Sequence, residues 1–294
     1  MKRREFVSRT SLGAFAAMAA TQSAASGQPL LCAARGADPA KLTRQAVDTL
    51  GGISRFVSPG ESVLVHPNIG WDRPPALAAN TNPLVVAELV RMCREAGAAR
   101  VLVLDNSTHP AQACYERSGI AEAAGKAGAE VAILEEWDFT EVKVPGEAVG
   151  SWPVVKRALT VDKLINVPVA KHHHLTRLTL GLKNHFGLIG GPRHELHPKI
   201  HRSIAELAAF FRPVLTVIDA VWIMTANGPL GAGPADLRRC DTVIAAADPV
   251  AADSRAARLF GIDPLSVPFI SIAQSLNLGS VLLPEGAAVE IEAG

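Results

Sequence analysis

The sequence has no CxxC pair; its four cysteines, Cys32, Cys93, Cys114 and Cys240, stand far apart along 294 residues. Iron–sulfur ferredoxin modules and cysteine zinc ribbons need clustered thiolates, so an iron–sulfur cluster is not expected. Aromatic residues are only 5% of the chain and the formal net charge is +1. Neither the stacking platforms nor the basic face that nucleic acid requires is present, so no nucleic-acid partner is expected. There is no GxSxG elbow, no P-loop and no GxGxxG after a strand, which leaves serine-hydrolase and nucleotide-cradle chemistry without support. No apolar run has the length and character of a span of about 20 residues, so no stable membrane crossing is expected.

What is present begins at the N-terminus. Lys2-Arg3-Arg4 precedes an apolar stretch from Ser11 to Ala20, followed by Ser23-Ala24-Ala25-Ser26-Gly27. A charged region, a short apolar region and a small-residue cleavage site describe an export signal, and the paired arginines point to the twin-arginine route. We therefore divide the chain into a signal peptide, residues 1–27, and a single α/β domain, residues 28–294. An uncleaved anchor is the alternative. This reading makes the protein exported or periplasmic and the twin-arginine machinery a partner. The route carries folded proteins, often with a cofactor already inserted, so a bound cofactor is expected without its kind being named; a divalent metal is a candidate on the histidines of the 171–201 stretch.

The remaining chain alternates short apolar runs with helical periodicity. Asp38-Pro39, Asn82-Pro83 and Asp248-Pro249 read as helix starts, with the acidic or amide side chain as cap and proline in the first turn. Strands are expected over 61–66, 100–104, 130–134, 164–167, 214–218 and 242–246, and helices over 111–127 with a break at Gly119, 175–186 and 200–211. Glu141-Val142-Lys143-Val144 suggests a hairpin between Trp137 and Trp152. The pattern predicts an α/β fold: a mostly parallel sheet with helices on both faces and a small antiparallel excursion. Ligands bind beyond the carboxyl ends of such strands. That directs attention to Asn68, Asp105, Lys171, Asp219 and Asp248.

Seven of the nine histidines fall between Lys171 and His201: His172, His173, His174, His185, His194, His197 and His201. Imidazole titrates near neutrality and is the commonest metal ligand, so this stretch is the candidate centre of the chemistry. His194-Glu195-Leu196-His197 is not HExxH, and Pro198 breaks the helix a metalloprotease would need. His173, His194 and His197 remain a candidate metal set.

The segment Lys171-His172-His173, through Thr179, to Leu182-Lys183-Asn184 and Gly187 resembles the core motif of the domain-of-unknown-function 362 family: Lys-x-His, a spacer, Thr, Leu-Lys-Asn and a nearby Gly. Asp219 with Asn227-Gly228-Pro229, and Asp248-Pro249-Val250-Ala251-Ala252-Asp253, are similar to its later blocks, and Pro67-Asn68 and Thr81-Asn82-Pro83 agree more loosely. Many members carry a ferredoxin-like segment, which this chain lacks, and His66 stands where relatives often have lysine. The resemblance implies a site of Lys171, His173, Lys183, Asn184, Asp219, Asn227, Asp248 and Asp253. Lys171, His173 and Lys183 are the catalytic candidates; Asn68, Asn184, Asp219, Asn227, Asp248 and Asp253 are the ligand-binding ones. Lysines suit a carboxylate or phosphate, and His173 suits proton transfer or metal. Other roles compete: Lys183 and Asn184 as helix C-cap residues, Asp248 as an N-cap, and Asp253 in an ion pair with Arg255 or Arg258. The expected function is a metal-assisted or redox enzyme acting on a small anionic molecule, with a non-catalytic periplasmic metal or anion binder as the alternative.

Overall fold

The structure, a computed structural model, describes residues 29–293; the expected signal peptide, residues 1–27, lies outside them. The first half contains β1 (Leu31–Arg35), α1 (Pro39–Thr49), β2 (Ser62–Pro67), α2 (Pro83–Glu95), β3 (Arg100–Val103), α3 (Ala111–Arg117), α4 (Ile120–Lys126) and β4 (Glu130–Val131). A hairpin follows, β5 (Phe139–Val144) with β6 (Gly150–Val155), then α5 (Lys156–Thr160), β7 (Lys163–Val167), β8 (Val169–His173), β9 (Arg177–Thr179) and the single turn α6 (Gly181–Asn184). The chain continues through α7 (Ile200–Phe211), β10 (Leu215–Met224), β11 (Leu237–Ala246), α8 (Pro249–Leu259), α9 (Pro268–Ser275) and β12 (Ala288–Glu292).

Ten strands form one sheet in the order β12-β1-β11-β10-β7-β2-β3-β4, with β8 and β9 attached beside β10. Most pairings are parallel; β11 runs antiparallel to both its neighbours, and β5–β6 is a separate antiparallel pair. Side chains alternate across a strand. In β2, Val63 and Val65 join the core under α1 and α2, whereas Leu64 packs on the opposite face. A second core beneath α7, α8 and α9 covers the other end of the sheet. The mostly parallel, two-faced sheet with an antiparallel excursion is the expected architecture.

The three helix starts are as expected. Asp38 accepts from Ala40 N–H (2.9 Å), Asn82 from Leu84 N–H (2.9 Å) and Asp248 from Ala251 N–H (2.8 Å). Gly119, at φ 71°, separates α3 from α4 where the helical pattern breaks. Three expectations need correction. The helix expected over 175–186 is instead a tight reversal, β9 and α6, because β9 pairs with β8 (Lys171 opposite Thr179) and Arg177 turns the chain at φ 64°. Lys171 therefore lies inside a strand, not beyond one. The strands expected over 214–218 and 242–246 extend into a longer β10–β11 ladder, from Met224 opposite Leu237 to Thr216 opposite Ala246. Among the described residues all four cysteines are free thiols, and no helix is long and apolar enough to cross a membrane.

Candidate functional site

The chain leaves β2 at Pro67, β3 at Val103 and β7 at Val167, three adjacent parallel strands. Asn68, Asp105 and, one strand further, Lys171 therefore arrive at the same end of the sheet. There they line a cavity of about 420 Å³ together with His173, Lys183, Asn184, Arg193, His194 and His197.

Lys171 is only 1% exposed. Its ammonium donates to Ala79 O (2.5 Å) and Asn68 Oδ1 (2.8 Å), and stands 5.8 Å from the Trp71 ring centroid. Burial, reinforced by the Lys183 charge, pushes its pKa down to about 7 against a partial pull upward from Asp105. Lys183 is half-buried and stands 5.4 Å from the Phe186 ring centroid. Burial, then repulsion from Arg193, lowers its pKa to about 8. Arg193 is tied to main-chain carbonyls, donating to Asn106 O (2.9 Å), Phe186 O (3.2 Å) and Ser107 O (3.2 Å). None of these three cations appears in any ion pair among the described residues.

Among the described residues Asp105 is the one carboxylate on the cavity wall. Its Oδ2 accepts from Ile69 N–H (2.6 Å), while the buried Oδ1 has no hydrogen-bond partner among the described residues. Burial raises its pKa against the pull of His66 and the Ile69 N–H. Tyr115 fixes the backbone here, its Oη accepting from Asp105 N–H at 2.8 Å. Gly187 closes over this carboxylate; a Cβ there would come within 1.8 Å of Asp105 Oδ1, so only glycine permits the approach. His66, below, has Nδ1 3.0 Å from Leu104 O and Nε2 3.0 Å from Asn184 O. Carbonyls only accept, so both contacts are hydrogen bonds together only in the doubly protonated ring.

His173 is buried, and its Nδ1 accepts from Leu175 N–H at 3.2 Å. Burial first, then the Lys183 charge, drives its pKa down to about 2. The ring is therefore neutral at physiological pH, with the proton on Nε2. It stacks on His174 with centroids 4.9 Å apart. Asn184 Nδ2 donates to Asn166 Oδ1 (2.9 Å) and His66 O (3.1 Å); its buried Oδ1 and the Thr179 hydroxyl, both on the cavity wall, have no partner.

The structure thus brings together Asn68, Lys171, His173, Lys183, Asn184, His194 and His197. Asp219, Asn227, Asp248 and Asp253 stand outside the wall, engaged by the frame. Asp219 accepts from Asn82 N–H (2.8 Å) and Val221 N–H (3.1 Å), and burial lifts its pKa to about 6. Asn227 Nδ2 donates to Asp236 Oδ1 (2.6 Å), and Asp248 caps α8 while also accepting from Ser280 N–H (2.9 Å). Asp253 is neither ion-paired with Arg255, which takes Glu290, nor with Arg258. It accepts from Gly181 N–H (2.7 Å) and Leu182 N–H (3.0 Å) and so starts α6, the turn that carries Lys183 and Asn184. Burial raises its pKa to about 7. His172 faces away, its Nδ1 accepting from Gly228 N–H at 3.1 Å. His185 is fully buried against Phe211. Among the described residues no group of three His, Cys, Asp or Glu side chains is arranged to hold a metal ion, although His173, His194 and His197 share the cavity.

Arg193 is the cation that sequence reasoning missed. It opens a short 3-10 helix after Gly191-Pro192, with no motif to mark it. Asp105 had a signal, as the polar end of an apolar strand.

A family model, the domain of unknown function DUF362, matches residues 63–258. The chain belongs to the DUF362 family. The matched region holds every cavity residue named above, and the family block at Lys171–Gly187 contributes much of the wall. A thylakoid-associated protein of Synechocystis sp. is 26% identical to this DUF362 protein over 250 residues, covering 80% of this chain and 74% of the relative. Among solved structures, the lactate racemase apoprotein from Thermoanaerobacterium thermosaccharolyticum aligns at TM-score 0.47 and 12% identity. That alignment covers 78% of this chain and 56% of the other, so the chain spans little more than half of that structure's length.

Proposed function

We propose that this DUF362 protein is an enzyme acting on a small molecule that carries a carboxylate or phosphate. One observation carries the reading: Lys171, Lys183 and Arg193 face a single cavity with the buried Asp105 as its sole carboxylate among the described residues, and none of the three forms an ion pair among those residues. Three cations around one carboxylate, itself disfavoured in its charged form by burial, repel one another, and a bound oxyanion relieves that repulsion. In this reading Lys183 and Arg193 hold the anionic group and Lys171 moves a proton. A neutral amine has two hydrogens and one lone pair; Ala79 O and Asn68 Oδ1 engage both hydrogens, which leaves the lone pair to accept. A pKa of about 7 suits that exchange at neutral pH. His173, neutral with Nε2–H free, serves as a hydrogen-bond donor to the ligand.

Calorimetric titration with inorganic phosphate and short carboxylates tests the reading. Binding needs charged lysines, so affinity is expected to be full below about pH 7 and to fall as the pH rises through 7 and 8, the pKa values of Lys171 and Lys183. Absence of binding at pH 6 sinks the proposal. A second reading, a non-catalytic anion binder, is favoured by a cavity wall without serine or cysteine among the described residues; turnover of any bound compound excludes it. We further propose export by the twin-arginine route, on the strength of Arg3-Arg4. Replacing both by lysine should leave the protein in the cytoplasmic fraction, and unchanged export would refute this.

A further inference from the structure

A second cavity, about 300 Å³, adjoins the first, and His173 and His174 belong to the walls of both. The stacked imidazole pair is therefore the partition between them. The second wall contains Arg177 and Arg238 over an apolar side formed by Leu178, Phe260 and Ile262, and among the described residues it has no carboxylate. Neither guanidinium takes part in an ion pair among the described residues. Each is instead oriented by neutral acceptors: Arg177 by Ser266 O (3.1 Å) and Ser266 Oγ (3.0 Å), Arg238 by Leu259 O. Arg177 also holds a left-handed backbone conformation, φ 64°, which a non-glycine residue adopts rarely and at some energetic expense. The strain sits at the reversal that sets this arginine at the cavity.

We infer that the ligand is an elongated dianion. One anionic group lies at Lys183 and Arg193, the connecting segment passes the His173–His174 partition, and the second anionic group lies at Arg177 and Arg238 against the apolar side. The inference rests on the anion-binding reading of the first cavity and deepens it.

The test compares α,ω-dicarboxylates from succinate to azelate with monocarboxylates of the same carbon count, and with inorganic phosphate, by calorimetry at pH 6. One dicarboxylate length is expected to bind about tenfold or more tighter than its monocarboxylate, the effect of one charge-assisted contact. The double variant Arg177→Ala/Arg238→Ala should abolish that advantage and leave phosphate affinity unchanged. Both positions are solvent-exposed, so the variant is expected to fold; circular dichroism and a thermal melt establish that before titration. A dicarboxylate series with no advantage at any length, or an advantage that survives the double variant, overturns the inference while phosphate binding keeps the first-cavity reading intact. Failure of phosphate and every carboxylate to bind overturns both.

Discussion

Raising the pH from 7 to 9 is expected to stabilise the protein against urea by roughly 2–3 kcal/mol, most of it from Lys171, whose folded pKa of about 7 lies far below its ordinary 10.5. In that window the unfolded chain binds a proton at this lysine that the folded protein has released, so stability climbs with pH. Lys183 adds in the same direction above about pH 8, less strongly because it is part-exposed. Below pH 7 the signs conflict. Burial raises Asp219 to about 6 and Asp253 to about 7, so their contribution falls as the pH rises toward those values. His185, lowered to about 3, and His173, lowered to about 2, contribute in the opposite direction. Above the ordinary thiol value of 9.0 the buried Cys93, raised to about 12, opposes the lysines. The window between is the lysines' own. Lys171→Met should remove most of the rise, and Lys171→Met/Lys183→Met nearly all of it. A flat stability profile from pH 7 to 9 in the wild type would show that Lys171 is not the desolvated amine described here.

Lys183→Met is expected to weaken binding of inorganic phosphate about 10- to 100-fold, the effect of one charged hydrogen bond in a partly dry site. The same change should leave the melting temperature unchanged or higher. Among the described residues Lys183 donates no hydrogen bond and pairs with no carboxylate, so no partner is orphaned when the charge goes. The loss of affinity is then a binding effect and not a folding effect. Arg193→Met is a less clean variant because it also frees the Asn106, Phe186 and Ser107 carbonyls. If Lys183→Met binds phosphate as tightly as wild type, the anion does not sit where the unpaired ammonium points.

Features governed by neighbouring residues were legible in the sequence. The Asp-Pro and Asn-Pro starts of α1, α2 and α8 are local: the cap and the amide it receives lie two or three residues apart. The polar end of β3 and the Lys-x-His, Leu-Lys-Asn block likewise marked Asp105, Lys171, His173, Lys183 and Asn184. What could not be read depends on distant partners. The stretch from Leu175 to Phe186 has helical spacing, yet its strand is set by pairing with β8 and its short helix by Asp253, 72 residues from Gly181. Asp219 likewise serves Asn82, 137 residues away. Carboxylates in family-like blocks suggested ligand contacts, whereas buried backbone N–H groups claim them, since an unpaired buried amide is costly. Histidine density suggested metal, but the rings divide among the cavity wall, a loop anchor at Gly228 and the core beside Phe211.

Proton linkage on anion binding reports the charge state of the cavity lysines. Sulfate, which carries no titratable proton near neutrality, is titrated at pH 8 by calorimetry in buffers of different ionisation enthalpy. A bound anion favours the charged lysines, so binding is expected to take up a proton, with Lys171→Met/Lys183→Met showing neither uptake nor tight binding. Sulfate binding with no proton exchange, or no sulfate binding at pH 6 or 8, would contradict the cavity of unpaired, desolvated lysines on which the functional account stands.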